Sequence, residues 1–154
     1  MIPRWHIFWG AIFSGSLWLL NPQINLIYIL IVFLSSFLID FDHYVVSVLK
    51  TKKTSLKHSF KYHDTQRKIE EKEKKKGIRK KGDFHIFHTL EFIALTGLIG
   101  YFFTPFYYIF IGMVFHSLLD FLWLIYKDRL YRRNYFLLSW IYKKFKRNFL
   151  LSRF

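Results

Sequence analysis

The chain has 154 residues; 53% are hydrophobic and 22% aromatic, yet its formal net charge is +14. The charges are separated from the apolar residues: Trp5 to Ile39 contains no Lys, Arg, Asp or Glu, and Phe84 to Leu119 contains only Glu91. This separation excludes an ordinary soluble domain and predicts membrane-spanning helices, each of which needs about 20 apolar residues.

The apolar residues form four blocks that are too long for the alternating strands of a membrane barrel, so we predict helices. The first block is short for a span, while the second is long enough to project into the headgroups. Asn21-Pro22 and Thr104-Pro105 are turn signals between blocks. The predicted spans cover about 5–20, 24–49, 84–103 and 106–126.

Two basic regions flank the later spans. Residues 50–81 contain 14 Lys or Arg and 4 Asp or Glu, which predicts a solvated loop or a polar helix, with much of it disordered. The tail from Lys127 interleaves nine Lys or Arg with aromatic residues and has no run long enough to span, which favours an interfacial amphipathic helix. We therefore predict an all-α polytopic membrane protein. A four-helix transmembrane bundle fills 1–126, including the basic loop 50–82, and a basic interfacial tail fills 127–154.

Charge also predicts the orientation. With four spans, all 24 Lys and Arg fall on one side of the membrane, and the positive-inside rule places that side in the cytoplasm. We expect an integral protein of the cytoplasmic or inner membrane, with both termini and the basic loop inside the cell.

Ionisable residues gather at the cytoplasmic end of every predicted span, and such residues are costly in a membrane and mark function by default. His116 and Asp120 are four residues apart on one helical face, while His85, His88 and Glu91 would share one stripe. Asp40 and Asp42 need not share a face, so residues 39–43 could form a broken turn. Because the chain has no cysteine, a metal would take imidazole and carboxylate ligands. The predicted ligands are His6, Asp40, His43, His88, His116 and Asp120.

The same residues resemble a known family. His6, Asp40-Phe41-Asp42-His43, His88-Thr89 and the His-x-x-x-Asp element of His116 and Asp120 are similar to motifs of the YdjM-like membrane-bound metal-dependent hydrolases, over about residues 4–126. Ile39 stands where that family commonly has Pro, and no Arg-Gly follows His85. The ligand order is also similar to that of zinc-dependent phospholipases C and related single-strand nucleases. The resemblance implies a helical hydrolase that binds zinc, with two or more ions. Manganese is the alternative metal that we expect for the same ligands.

The favoured function is a metal-dependent hydrolase that uses metal-activated water on a phosphoester, such as a phospholipid headgroup or a lipid-linked phosphate. Asp42 and Glu91 are the predicted catalytic residues, as base or bridge. The expected partners are membrane lipids, with anionic phospholipids at the basic loop and tail; nucleic acid is less favoured, and four short spans could pair in a homo-oligomer.

Other functions stay open at this stage. Ionisable residues in spans also line transport pathways, although here they gather at one end. A membrane-anchored binding protein with a structural metal site would use the same basic regions for anionic lipid or nucleic acid. His58 and His63 lie in the charged loop and are expected to be solvated.

Overall fold

The computed structural model describes residues 3–151, and this part of the chain is all-helical, with no strand. Short 3-10 turns at Ile86–His88 and Leu130–Arg132 precede the fifth and seventh α-helices. The α-helices are α1 (Pro3–Leu20), α2 (Leu26–Leu38), α3 (Phe41–Thr51), α4 (Leu56–Lys75), α5 (Leu90–Phe102), α6 (Thr104–Tyr126) and α7 (Leu137–Leu151). The predicted all-α class is confirmed; residues 1–2 and 152–154 of the two predicted domains lie outside the described residues.

Within residues 3–151, two helical segments are long and apolar enough to cross a membrane. They are Leu26–Thr51, which joins α2 to α3, and Thr104–Tyr126, which is α6. A buried core helix of a soluble protein would pass the same test, but only 22% of each apolar window is buried here. The apolar helix Leu90–Phe102 is shorter, at 13 residues.

The second predicted span is interrupted at the acidic motif. α2 ends at Leu38 and α3 begins at Phe41. Around this break the backbone makes hydrogen bonds between residues three apart, as in a 3-10 turn. Asp40 N donates to the Phe37 carbonyl at 3.2 Å, and His43 N donates to the Asp40 carbonyl at 3.0 Å. The broken turn that the sequence suggested at residues 39–43 is therefore present, and it places Asp40 at the junction of two helices.

The third predicted span begins later than expected. Residues 84–89 precede α5, and the Thr89 hydroxyl caps this helix by accepting a hydrogen bond from Phe92 N at 3.4 Å. The predicted helical stripe of His85, His88 and Glu91 is therefore wrong. His85 has an extended backbone and His88 lies in the 3-10 turn, so only Glu91 belongs to the first turn of the α-helix.

The basic loop is largely a polar helix, α4, which ends just before Gly77 at φ 73°. The stretch that follows α4 is held against the tail. Gly82 N donates to the Arg132 carbonyl at 2.8 Å, and Lys81 Nζ donates to the Arg133 carbonyl at 2.9 Å. The two basic regions are thus packed together at one end of the molecule.

Helix α6 packs between α2 and α5, while α1 packs mainly on α2 and also touches α6. Tyr28 stacks on Tyr108, and the Ser36 carbonyl meets His116, so α2 and α6 run parallel. Phe13 stacks on Phe115 while His6 meets Asp120, so α1 runs antiparallel to α6. This arrangement brings the start of α1, the end of α2 and the second half of α6 to the same depth, at what we call the site end of the bundle.

Close contact between α2 and α6 requires Gly112. A Cβ atom there would lie 2.5 Å from the Val32 carbonyl oxygen and would also collide with the Ser35 hydroxyl. At Gly15 of α1, by contrast, a Cβ would meet nothing within 4 Å.

We therefore expect Gly112→Ala to lower the stability of the bundle by about 1–3 kcal/mol through overpacking. The matched variant Gly15→Ala should be neutral or stabilising by up to about 1 kcal/mol, because alanine favours helix. Thermal unfolding of both variants in detergent checks this, and equal midpoints would contradict the packing of α2 on α6.

Candidate metal centre

Three buried side chains and one partly buried side chain, that of Asp40, converge at the site end of the bundle from three parts of the fold. Asp40 comes from the turn between α2 and α3, His88 from the 3-10 turn before α5, and His116 and Asp120 from consecutive turns of α6. One potential ligand atom of each lies within 4.8 Å of all the others. This four-residue cluster could hold a metal ion.

The distances within the cluster suit a small divalent ion. His88 Nε2 lies 3.1 Å from His116 Nε2, and Asp40 Oδ1 lies 3.4 Å from the first and 3.5 Å from the second. Asp120 Oδ2 lies 3.8 Å from His88 Nε2 and 3.6 Å from His116 Nε2. Ligands at about 2.0–2.1 Å from a tetrahedral zinc ion are about 3.3 Å apart, so these separations need to change little.

Hydrogen bonds to the far side of each ring fix which nitrogen faces the cluster. His116 Nδ1 lies 2.8 Å from the Ser36 carbonyl oxygen, which can only accept, so Nδ1 carries the proton. His88 Nδ1 donates in the same way to Asp42 Oδ2 at 3.0 Å. In the neutral rings, both Nε2 atoms then point lone pairs at each other. A proton or a cation must lie between them, and two carboxylates beside them favour a cation.

His6 and Asp42 lie just outside this cluster and orient its members. His6 Nε2 donates to Asp120 Oδ1 at 3.1 Å, and its ring stacks on His116 at a centroid distance of 3.9 Å. Asp42 Oδ2 accepts from Phe87 N at 3.1 Å as well as from His88. Both side chains are buried. The structure thus places His6, a predicted ligand, and Asp42, a predicted catalytic residue, in supporting contacts.

A second group contains Asp42, His43 and His88, whose ligand atoms also lie within 4.8 Å of one another. His43 Nε2 lies 3.4 Å from Asp40 Oδ1, and His85 Nδ1 lies 3.6 Å from Asp42 Oδ1. The His85 ring packs on His43 at 3.8 Å. His88 belongs to both groups, and a neutral imidazole has one lone pair, so it can serve only one ion.

Glu91 takes no part in either group. Its two carboxylate oxygens accept hydrogen bonds from Leu137 N at 2.9 Å and Leu138 N at 3.2 Å, the first backbone groups of α7. A carboxylate at this position satisfies unpaired N–H groups and complements the helix dipole. In the structure Glu91 ties α7 to the start of α5, and its catalytic role stays a prediction from the sequence.

Arg133 is not among the site residues predicted from the sequence. Its guanidinium donates through Nη2 to Asp120 Oδ2, the same oxygen that faces His88 and His116. The residue lies in the basic tail, where its neighbours suggested only contact with lipid. No signal in the sequence separates Arg133 from the other basic residues of the tail, because its contact with Asp120 is tertiary.

A cavity of about 940 Å³ opens from the cluster towards α4. Asp40, His88 and Asp120 form part of its lining, and Phe37, Phe41 and Phe60 are among its apolar wall residues. His63, predicted to be solvated, also borders the cavity and donates to the His43 carbonyl at 2.9 Å. The site thus adjoins a space that is polar on its floor and partly apolar on its walls.

Ion pairs join α4 to the tail across this cavity. Arg132 pairs with Glu70 at 2.8 Å, and Arg129 pairs with Glu71 at 3.4 Å. Burial raises the pKa of Glu70 above its usual range, although Arg132 and Arg129 oppose the shift. Burial also tends to raise the pKa of Asp83, but hydrogen bonds from Lys50 and Tyr62 outweigh it and hold this pKa below its usual range.

Searches among protein-family models, curated proteins and solved structures find no match to this chain. The geometry of the cluster and the cavity therefore carries the functional argument.

The contacts of Glu91 generate a prediction that separates capping from catalysis. Glu91→Gln should loosen α7, because one acceptor and the negative charge are lost, and should leave bound metal unchanged. Hydrogen exchange should rise in residues 137–146, while the metal content stays equal to that of the parent chain. Loss of metal with unchanged exchange would instead place Glu91 in the metal centre.

The contacts of Asp42 generate a second prediction. Asp42→Asn should weaken metal affinity by about 10–100-fold, since it perturbs the group that fixes the orientation and tautomer of His88. Asp64→Asn, which changes an exposed aspartate paired with Arg67, should have no effect. Competitive titration with a zinc chelator measures both affinities, and equal values for the two variants would refute the orienting role.

Proposed function

We propose that this protein is a membrane-embedded, metal-dependent hydrolase of a phosphoester, such as a phospholipid headgroup or a lipid-linked phosphate. The observation that carries the proposal is the pair of Nε2 atoms of His88 and His116, 3.1 Å apart and flanked by the carboxylates of Asp40 and Asp120. A divalent cation satisfies both lone pairs and cancels both negative charges.

Zinc is the ion that fits this set best. Two imidazoles and two carboxylates at nearly tetrahedral separations are typical zinc ligands, whereas manganese prefers more oxygen ligands and octahedral geometry. A second ion would use Asp42 and His43, with Asp40 and His85 beside them, because His88 is committed to the first.

Hydrolysis needs an open coordination position, so either three of the four side chains would bind the ion or the ion would be five-coordinate. The ion would then lower the pKa of a bound water molecule and polarise the phosphoester. Asp40 Oδ2 is buried and has no hydrogen-bond partner among the described residues. Because Asp40 lines the cavity, we assign this oxygen to accept the proton of the attacking water. Asp42 and His6 hold His88 and Asp120 in place. Asp40 is the base in this proposal, whereas Asp42 and Glu91 were the bases predicted from the sequence.

The exposed apolar surface of the bundle supports a membrane setting. Leu20, Leu98, Tyr101 and Phe102 are each at least 62% exposed, which in water would be an unusually large apolar surface. We propose that α1, the α2–α3 segment, α5 and α6 all cross the membrane. The positive-inside rule then places both termini, the basic regions and the metal centre on the cytoplasmic side.

The cavity supports an amphiphilic substrate. Its polar floor would receive a phosphate group, while Phe37, Phe41 and Phe60 on its walls would contact an acyl or isoprenoid chain. Phe41 is 56% exposed and Phe60 is 59% exposed, so these rings are available to a lipid.

A second function, a membrane-anchored binding protein with a structural metal, is favoured by one observation. α7 carries exposed Tyr142, Phe145 and Phe149 among basic residues, including Lys144, whose ammonium lies 4.9 Å from the centre of the Trp140 ring. Such a helix suits an anionic lipid surface. This function predicts bound metal and salt-sensitive binding to anionic vesicles, without any hydrolysis.

The hydrolase proposal is tested with the full chain in detergent against short-chain phosphomonoester and phosphodiester lipids. We expect turnover that a chelator abolishes and zinc restores. His116→Ala should be inactive because a ligand is lost, while His58→Ala, in the polar helix α4, should keep its activity. Turnover that survives both metal removal and His116→Ala would contradict the proposal. Bound zinc without turnover of any ester in the panel would favour the binding protein.

A further inference from the structure

Arg133 differs from the other cations around the cavity in the partner that holds it. Arg132 and Arg129 pair with glutamates of α4, and Lys80 pairs with Glu73 at 2.9 Å. Arg133 instead pairs with Asp120, a member of the four-residue cluster. The side chain of Arg133 is 15% exposed, and the residue lines the cavity.

Whether Arg133 stays paired with Asp120 depends on whether a cation occupies the cluster. Without an ion, Arg133 offsets one of the two negative charges of Asp40 and Asp120. A divalent cation bound by these residues neutralises both carboxylates and competes for the same Oδ2 atom of Asp120. When the ion takes this oxygen, the N–H groups of the guanidinium are left at the border between the ion and the cavity.

The backbone around Arg133 holds it at this position. The Arg133 carbonyl accepts from Lys81 Nζ at 2.9 Å, and the Arg132 carbonyl accepts from Gly82 N at 2.8 Å. Leu90 N donates to the Tyr135 carbonyl at 2.9 Å. The segment is therefore fixed on both sides of Arg133, and only the side chain has to turn from Asp120 towards the cavity.

We propose that Arg133 is an anion subsite beside the metal centre and binds the non-bridging oxygens of a phosphoryl group; this inference rests on the proposed function. A guanidinium presents parallel N–H groups that match a phosphate in a bidentate way, which an ammonium cannot do. The ion would contact one phosphoryl oxygen while Arg133 contacts the others. The shared chemistry covers a lipid phosphoester and free inorganic phosphate.

The test measures binding of inorganic phosphate to the zinc-loaded full chain in detergent by calorimetry. Arg133→Gln should weaken the binding of phosphate at least about 10-fold, because a charged, bidentate contact is lost. Arg133→Lys should recover part of the affinity, and the neighbouring control Arg132→Gln should bind phosphate as the parent does. The zinc content of each variant is measured on the same samples. Repeating the titration with a soluble short-chain lipid phosphate shows whether the apolar walls add affinity for the lipid source.

The outcomes separate this inference from the function on which it rests. If the parent binds zinc but Arg133→Gln binds phosphate as tightly as the parent, the anion subsite is overturned and the metal centre stands. If Arg133→Gln loses its zinc, Arg133 supports the metal ligands and the subsite is likewise overturned. If the parent itself takes up no zinc, the proposed function and this inference both fail.

Discussion

The structure depends on the apposition of two imidazole nitrogens inside an apolar bundle. His88 and His116 each donate their Nδ1 proton outward, to Asp42 and to the Ser36 carbonyl, so their Nε2 atoms face each other at 3.1 Å. Two neutral rings with lone pairs at this distance repel, and two carboxylates beside them add negative charge. A cation relieves both costs at once, and no arrangement of apolar neighbours could do so.

The packing of the helices holds these two imidazole rings in position. Parallel α2 and α6 approach closely at Gly112, and antiparallel α1 approaches α2 at Gly10, where a Cβ would collide with Ser36. These close contacts set the relative heights of the helices. As a result, Ser36 can accept from His116, and His6 can donate to Asp120. Gly10 and Gly112, in the apolar part of the bundle, thereby set the positions of the polar residues at the site end.

The core of the centre was predictable because ionisable residues stand out in apolar segments. His116 and Asp120 lie four residues apart in an apolar segment, and Asp40 ends another apolar segment. Each position is unusual enough in an apolar segment to indicate a functional site. Glu91 is equally unusual, but its partner is the backbone of α7, 46 residues further along the chain. Sequence spacing could not reveal that contact.

Other features depended on tertiary structure in the same way. Whether His85 and His88 share a helical face was decided by the Thr89 cap, which delays the start of α5. In the sequence Arg133 looks like the other basic residues of the tail, and only the fold brings it into contact with Asp120. The helix of the central basic region was open from sequence, because a highly charged segment suits both a polar helix and a disordered loop.

The most direct test of the central claim is elemental analysis of the protein purified in detergent without chelator, beside Asp120→Ala. We expect about one to two equivalents of zinc per chain, one at the four-residue cluster and at most one more at Asp42 and His43, and loss of zinc in the variant. The absence of stoichiometric metal from the parent chain, even after reconstitution with zinc, would contradict the account and leave the cluster as a buried hydrogen-bond network.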